Sequence, residues 1–213
     1  MTKITKSAAT AIKSAMATQP PLPDGRRERS LASRRKIIEA MVDLVAAGDP
    51  DPSAAAVAAK AGVGLRSVFR HFQDKESILR EIDDLLVKVY QPILAAPYEA
   101  SVWRGQLFEL IDRRCAVNEA VVVFRLSSVL ARYRSPFVAA KSHELHAREK
   151  RMLDRVLPPG LHTETDVGRS IMVATSFDTW RLLRQDEEFT PEQTVRTIKA
   201  LVTDVLERAG CLQ

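Results

Sequence analysis

A chain of 213 residues that is 46% hydrophobic can bury a sizeable core, which excludes a disordered polypeptide. Two cysteines, Cys115 and Cys211, exclude a disulfide framework and fit a reducing cytoplasm, and no run approaches the roughly 18 apolar residues of a membrane helix. The formal charge of +5 is concentrated: residues 1–76 hold 13 Lys and Arg against 8 Asp and Glu, whereas residues 77–213 hold 19 of each, so a polyanionic partner is expected at the basic end.

Residues 1–29 read as a flexible basic arm, broken by Pro20, Pro21, Pro23 and Gly25. Helix spacing begins at 31–47, where Ile38, Met41, Val42 and Val45 recur behind Arg34, Arg35 and Lys36. Gly48-Asp49-Pro50-Asp51-Pro52 ends it, and Ser53 is a natural N-cap for a short helix over 54–60. Ala58, small enough for a close crossing, Gly62, free to turn left-handed, and Val63 then have the spacing of a tight helix-turn-helix. The second helix spans 65–72, with Val68, Phe69 and Phe72 expected in the core. Asp74 caps the next helix, 75–95, with the stripe Ile78, Ile82, Leu85, Leu86 and Val89. Later helices are expected over 101–116, 118–134, 136–157, 164–185 and 191–209. Ser135-Pro136 and Thr190-Pro191 each set a cap before a proline, Thr190 and Gln193 make a capping box, and Pro158-Pro159-Gly160 is a stop. The pattern predicts an all-α protein.

The stretch Ser53 to Leu79 resembles the DNA-binding region of TetR-family transcriptional regulators. The resemblance is carried by Ser53, Val57-Ala58, Ala61-Gly62-Val63, Phe69, His71-Phe72, Lys75-Glu76 and Leu79. Two positions depart from the family: Gly64 stands where Ser or Thr is usual, and Phe69 where Tyr is usual. Phe lacks the hydroxyl that bonds a phosphate there. The resemblance implies a three-helix helix-turn-helix DNA-binding domain over 30–76 and a helical effector-binding and dimerisation domain over 77–213. It also implies a homodimer on a near-palindromic double-stranded operator, and a repressor released by a small-molecule effector.

A short helix in the major groove meets base edges with its N-terminal residues, so Leu65, Arg66, Ser67 and Arg70 are the expected base readers. Arg66 is the foremost, because a guanidinium bonds guanine O6 and N7 together. Leu65 suits a thymine methyl. His71 and Lys75 are expected at phosphates, as in the family, with Arg34 and Arg35 adding attraction. Taken outside the motif, Arg66 and Arg70 read equally well as ordinary solvated charges.

For the effector pocket, the aromatic and apolar residues of 101–134 point to Trp103, Leu107, Phe108, Ile111, Phe124, Val129 and Tyr133, joined by Phe177 and by Glu149 as a polar contact, with plain core as the other reading of each apolar one. For the dimer surface, the stripes of the last two helices point to Ile171, Phe177, Ile198, Leu201, Val202 and Val205, with an intrachain core as the other reading. His143 and His146 stand i, i+3, but the charges around them argue for a solvated face, and neither metal nor cofactor is expected. No phosphate-binding Gly loop, nucleophile elbow or HExxH occurs, so no enzyme is expected. The alternative is an all-helical enzyme or protein-interaction bundle with an incidental helix-turn-helix.

Overall fold

The structure is a computed structural model that describes residues 2–17 and 25–211, with side chains described over 8–17 and 28–211. The breakers Pro20, Pro21 and Pro23 lie outside the described residues. Among the described residues there is no strand, and no helix is long and apolar enough to cross a membrane. The chain forms two compact units. Met1–Pro92 and Ala120–Ser142 make the first, and Ile93–Glu119 and His143–Gln213 the second.

The first unit opens with α1 (Thr2–Ala17) and α2 (Gly25–Ala46). Neither matches a flexible arm over 1–29. In α1, Ala8, Ala9, Ile12 and Met16 bury one face, and Lys13 pairs with Asp43 of α2 at 2.6 Å. Their i, i+4 spacing is an amphipathic pattern that the lysines of this segment obscure. Helices α3 (Ala54–Ala61), α4 (Leu65–His71) and α5 (Lys75–Leu94) follow with nearly the expected bounds. Ile37, Ile38 and Met41 of α2 share the unit's core with Val57, Ala58, Val68, Phe72, Ile78 and Ile82.

Helix α6 runs unbroken from Trp103 to Ala131, where two helices were expected. No glycine or proline separates 116 from 118, so nothing in the chain stops the helix there. Ser135 then caps α7 (Pro136–Asp154), its hydroxyl accepting from the Val138 amide at 3.1 Å.

In the second unit, the single helix expected over 164–185 is interrupted. Helix α8 (Asp166–Ala174) ends at Thr175, and Ser176 starts α9 (Phe177–Arg181) by accepting from the Thr179 amide at 3.1 Å. A π-helical segment, Leu182–Asp186, follows. Ser and Thr hydroxyls compete for backbone groups and favour such restarts. Thr190, Pro191 and Gln193 then open α10 (Pro191–Arg208) with the expected capping box.

Four of the six expected dimer residues belong to the chain's own core. Ile171 and Val202 are 0% exposed, Ile198 1% and Phe177 6%, the last stacked on Trp180 at 5.5 Å. The helices α8 and α10 pack on each other, which uses the stripe that a partner was expected to cover. Leu201 stays exposed at 42% and Val205 half-exposed, with Val173 and Leu182 as further exposed apolar side chains of this unit.

Gly168 in α8 is required by packing. A Cβ there would sit 1.9 Å from the His162 carbonyl oxygen, a backbone atom that cannot swing aside. Gly168→Ala is therefore expected to cost about 1–3 kcal/mol of stability. A urea midpoint equal to that of the parent chain would contradict this packing.

Candidate nucleic-acid interface

The turn between α3 and α4 is built from local chemistry. Ser53 caps α3 by accepting from the Ala56 amide at 3.1 Å. Gly62 ends it in the left-handed region, φ 66°, where a side chain would be strained. The Val63 amide then closes on the Ala58 carbonyl at 3.1 Å. Gly64 is extended, φ −69°, and gives α4 no side-chain cap. Phe72 ends α4, its amide bonded to the Val68 carbonyl at 2.9 Å.

Burial fixes which face of α4 is free. Val68 and Phe72, one turn apart, are both 2% exposed. Leu65, Arg66, Phe69 and Arg70 all face outward. Phe69, expected in the core, is 53% exposed. Phe69 lies about 100° round the helix from Val68, at the margin of the buried face. Arg66 has no hydrogen-bond or ion-pair partner among the described residues. Arg70 Nη2 donates to Ser67 Oγ at 2.9 Å, so Ser67 supports a neighbour.

The four expected phosphate contacts fare differently. Arg34 is drawn into the domain. Its Nη1 donates to the His71 carbonyl at 2.7 Å, its Nη2 pairs with Glu81 at 2.5 Å, and its guanidinium lies over the Phe72 ring at 4.3 Å. It clamps α2 to the end of α4 and to α5. Arg35 is half-exposed. Lys75 sits in the first turn of α5, which Asp74 caps through the Ser77 amide at 2.7 Å, but its ammonium pairs with Asp51. Arg134 approaches the same carboxylate at 3.9 Å. Asp51 was visible in the sequence only as part of a helix stop. His71 buries Nε2 without a partner, and burial, with Arg70 and Arg34 nearby, lowers its pKa from 6.5. Both effects favour its neutral imidazole.

The tip formed by the end of α6 and the start of α7 belongs to the same unit as α2 to α5. Ser135 donates to the Glu76 carboxylate, Lys141 lies 3.7 Å from Asp83, and Arg80 covers the Phe137 ring at 4.5 Å. A cleft of about 80 Å³ lies here, with Met41, Leu79, Ile82, Phe124, Phe137 and Val138 in its wall and Lys75 and Asp51 among its polar groups. Of the nine expected effector residues only Phe124 lines it. Val129 and Tyr133 share its unit without lining it, and Tyr133 is 78% exposed. Trp103, Leu107, Phe108, Ile111, Glu149 and Phe177 belong to the second unit. Leu107 and Ile111 are packed core there, 0% and 1% exposed, and Phe108 lies under the Lys199 ammonium at 5.6 Å. The sequence reading missed Arg114, a buried arginine that donates to Thr175 Oγ1 at 3.1 Å and to the Glu149 carbonyl. Cys115 is buried, which pushes its pKa up to about 12. His143 and His146 are exposed, and among the described residues no group of three or more His, Cys, Asp or Glu is placed to hold a metal.

A two-helix turn of this geometry, seated on a third helix with its second helix bared, defines a helix-turn-helix DNA-binding regulator. Residues 37–82 match the family described as bacterial regulatory proteins, tetR family, which gives this part of the chain a TetR-type DNA-binding region. The crystal structure of a transcriptional regulator from Rhodococcus sp. Rha1 has a similar fold. It matches with a TM-score of 0.61 at 15% identity, over 84% of this chain and 96% of that one. No curated protein matches the chain.

The partly buried His71 makes stability pH-dependent. Its folded pKa lies below the ordinary 6.5, so the unfolded chain binds the proton more readily. Stability is full above the ordinary value and falls as pH drops below it toward the folded value. Chemical denaturation of His71→Gln should therefore lose less stability than the parent between about pH 7.5 and about pH 5. Parallel losses in the two proteins would contradict the assignment.

Proposed function

We propose that the chain is a homodimeric repressor that reads a near-palindromic DNA site through α4 and leaves it when a small effector binds. The observation that carries this reading is the division of α4: Val68 and Phe72 hold it, while Leu65, Arg66 and Arg70 face outward. Arg66, exposed and without a partner among the described residues, has its donors available for a guanine edge. Lys75 reaches a phosphate by exchanging Asp51 for it, and Arg35 adds attraction. Counterion release makes such binding weaken steeply with salt.

One α4 reads few base pairs, and two copies double the site. The exposed Val173, Leu182 and Leu201, with half-exposed Val205, are the apolar surface of the second unit that a copy would cover. Effector response is supported by the bonds from Ser135, Arg134 and Lys141 to Glu76, Asp51 and Asp83. They tie the α6–α7 tip to α5 and to the α2–α3 turn. An effector acts only by binding one arrangement of these helices more tightly than another. A regulator of this design carries out no catalysis.

Arg66→Ala is expected to relax base preference at one position in each half-site, at a cost of about 1–3 kcal/mol. Binding to a panel of single-base operator variants measures it. A loss uniform across the panel would contradict base reading by Arg66.

A further inference from the structure

Helix α4 turns two parallel stripes outward. Arg66 and Arg70 form one. Leu65 and Phe69 form the other, 45% and 53% exposed. Val68 and Phe72 already provide the buried face, so the fold has no packing need for a large apolar side chain at 65 or 69. Arg70 is bonded to Ser67, and no cation stacks on the Phe69 ring among the described residues. The ring edge is therefore open.

The surroundings of this apolar pair are cationic. From Ala54 to Gln73 the chain holds Lys60, Arg66 and Arg70 and no acidic residue. An apolar patch in such a setting suits a polyanion that offers apolar groups of its own. Duplex DNA does so in the major groove, where the C5-methyl of thymine is the apolar feature of the base-pair edges. The groove that admits α4 for Arg66 thus brings Leu65 and Phe69 to the same base edges. The phenyl ring, lacking the hydroxyl of a tyrosine, has no hydrogen bond to offer a phosphate and loses nothing by facing a methyl.

We infer that Leu65 and Phe69 are specificity-determining residues that read thymine C5-methyl groups in each half-site. The inference rests on DNA reading by α4 and deepens it: the site is selected by methyl contacts beside the arginine contacts.

The test replaces thymine by deoxyuracil, which removes only the methyl. The duplex is the sequence that the full chain enriches from a random pool, and each thymine is replaced in turn. Replacement at one or two thymines per half-site should weaken binding about fourfold each, the value of one buried methyl. That sensitivity should vanish in Leu65→Ala or Phe69→Ala at the matching position. The DNA-side scan with the unaltered protein stands even where a variant fails to fold. Deoxyuracil that is silent at every position, or an enriched site without thymine, overturns the inference and leaves DNA reading intact. Sensitivity that persists unchanged in both variants overturns its assignment to these residues. Failure to enrich any sequence defeats DNA reading and the inference with it.

Discussion

Burial of Val68 and Phe72 against α2 is the constraint on which the DNA-reading surface depends. A helix of seven residues does not persist in water alone, because its nucleation cost exceeds what so few backbone bonds return. Each of these side chains contributes about 1.5–3 kcal/mol on burial. Gly62 sets the angle at which α4 arrives, and Arg34 locks its far end by bonding the His71 carbonyl and covering Phe72. With the inner face so fixed, the helical period determines what the outer face presents. Function at α4 is the remainder of its packing.

The same unit places charge chemistry beside this surface. Asp51 and Glu76 accept from Lys75 and Ser135, so the start of α5 is bonded both to the α2–α3 turn and to the α6–α7 tip. Lys75 is an exposed-edge cation with a built-in anion partner. A phosphate must compete with Asp51 for it, and surface pairs of this kind hold by only about 0–1 kcal/mol, so the exchange is cheap. The small cleft lined by Met41, Leu79 and Phe137 lies among these pairs.

What the sequence made legible was local. Ser53, Gly62, Ser135 and the Thr190–Gln193 box act through bonds within a few residues, and the structure contains each of them. The motif from Ser53 to Leu79 likewise identified the DNA-binding region. Tertiary competition was not legible. Ile171, Ile198 and Val202 look like an interface stripe until α8 and α10 are seen to use them on each other. Arg34 reads as a surface cation until Glu81 and the His71 carbonyl, both distant in sequence, are brought to it. Phe69 lies at the margin of the buried face of α4, so its exposure was not settled by helical phase. In α1, the stripe Ala8, Ile12 and Met16 was present but outweighed by charge.

We propose that the outward face of α4, carried by two copies of the chain, enters the major groove. Dimethyl sulfate footprinting of the bound duplex measures this most directly, since it modifies guanine N7 in that groove and adenine N3 in the other. Protection of guanine N7 is expected in two patches whose centres lie about one helical turn, 34–36 Å, or a multiple of it apart. Protection confined to adenine N3, or spread evenly along the duplex, would contradict it.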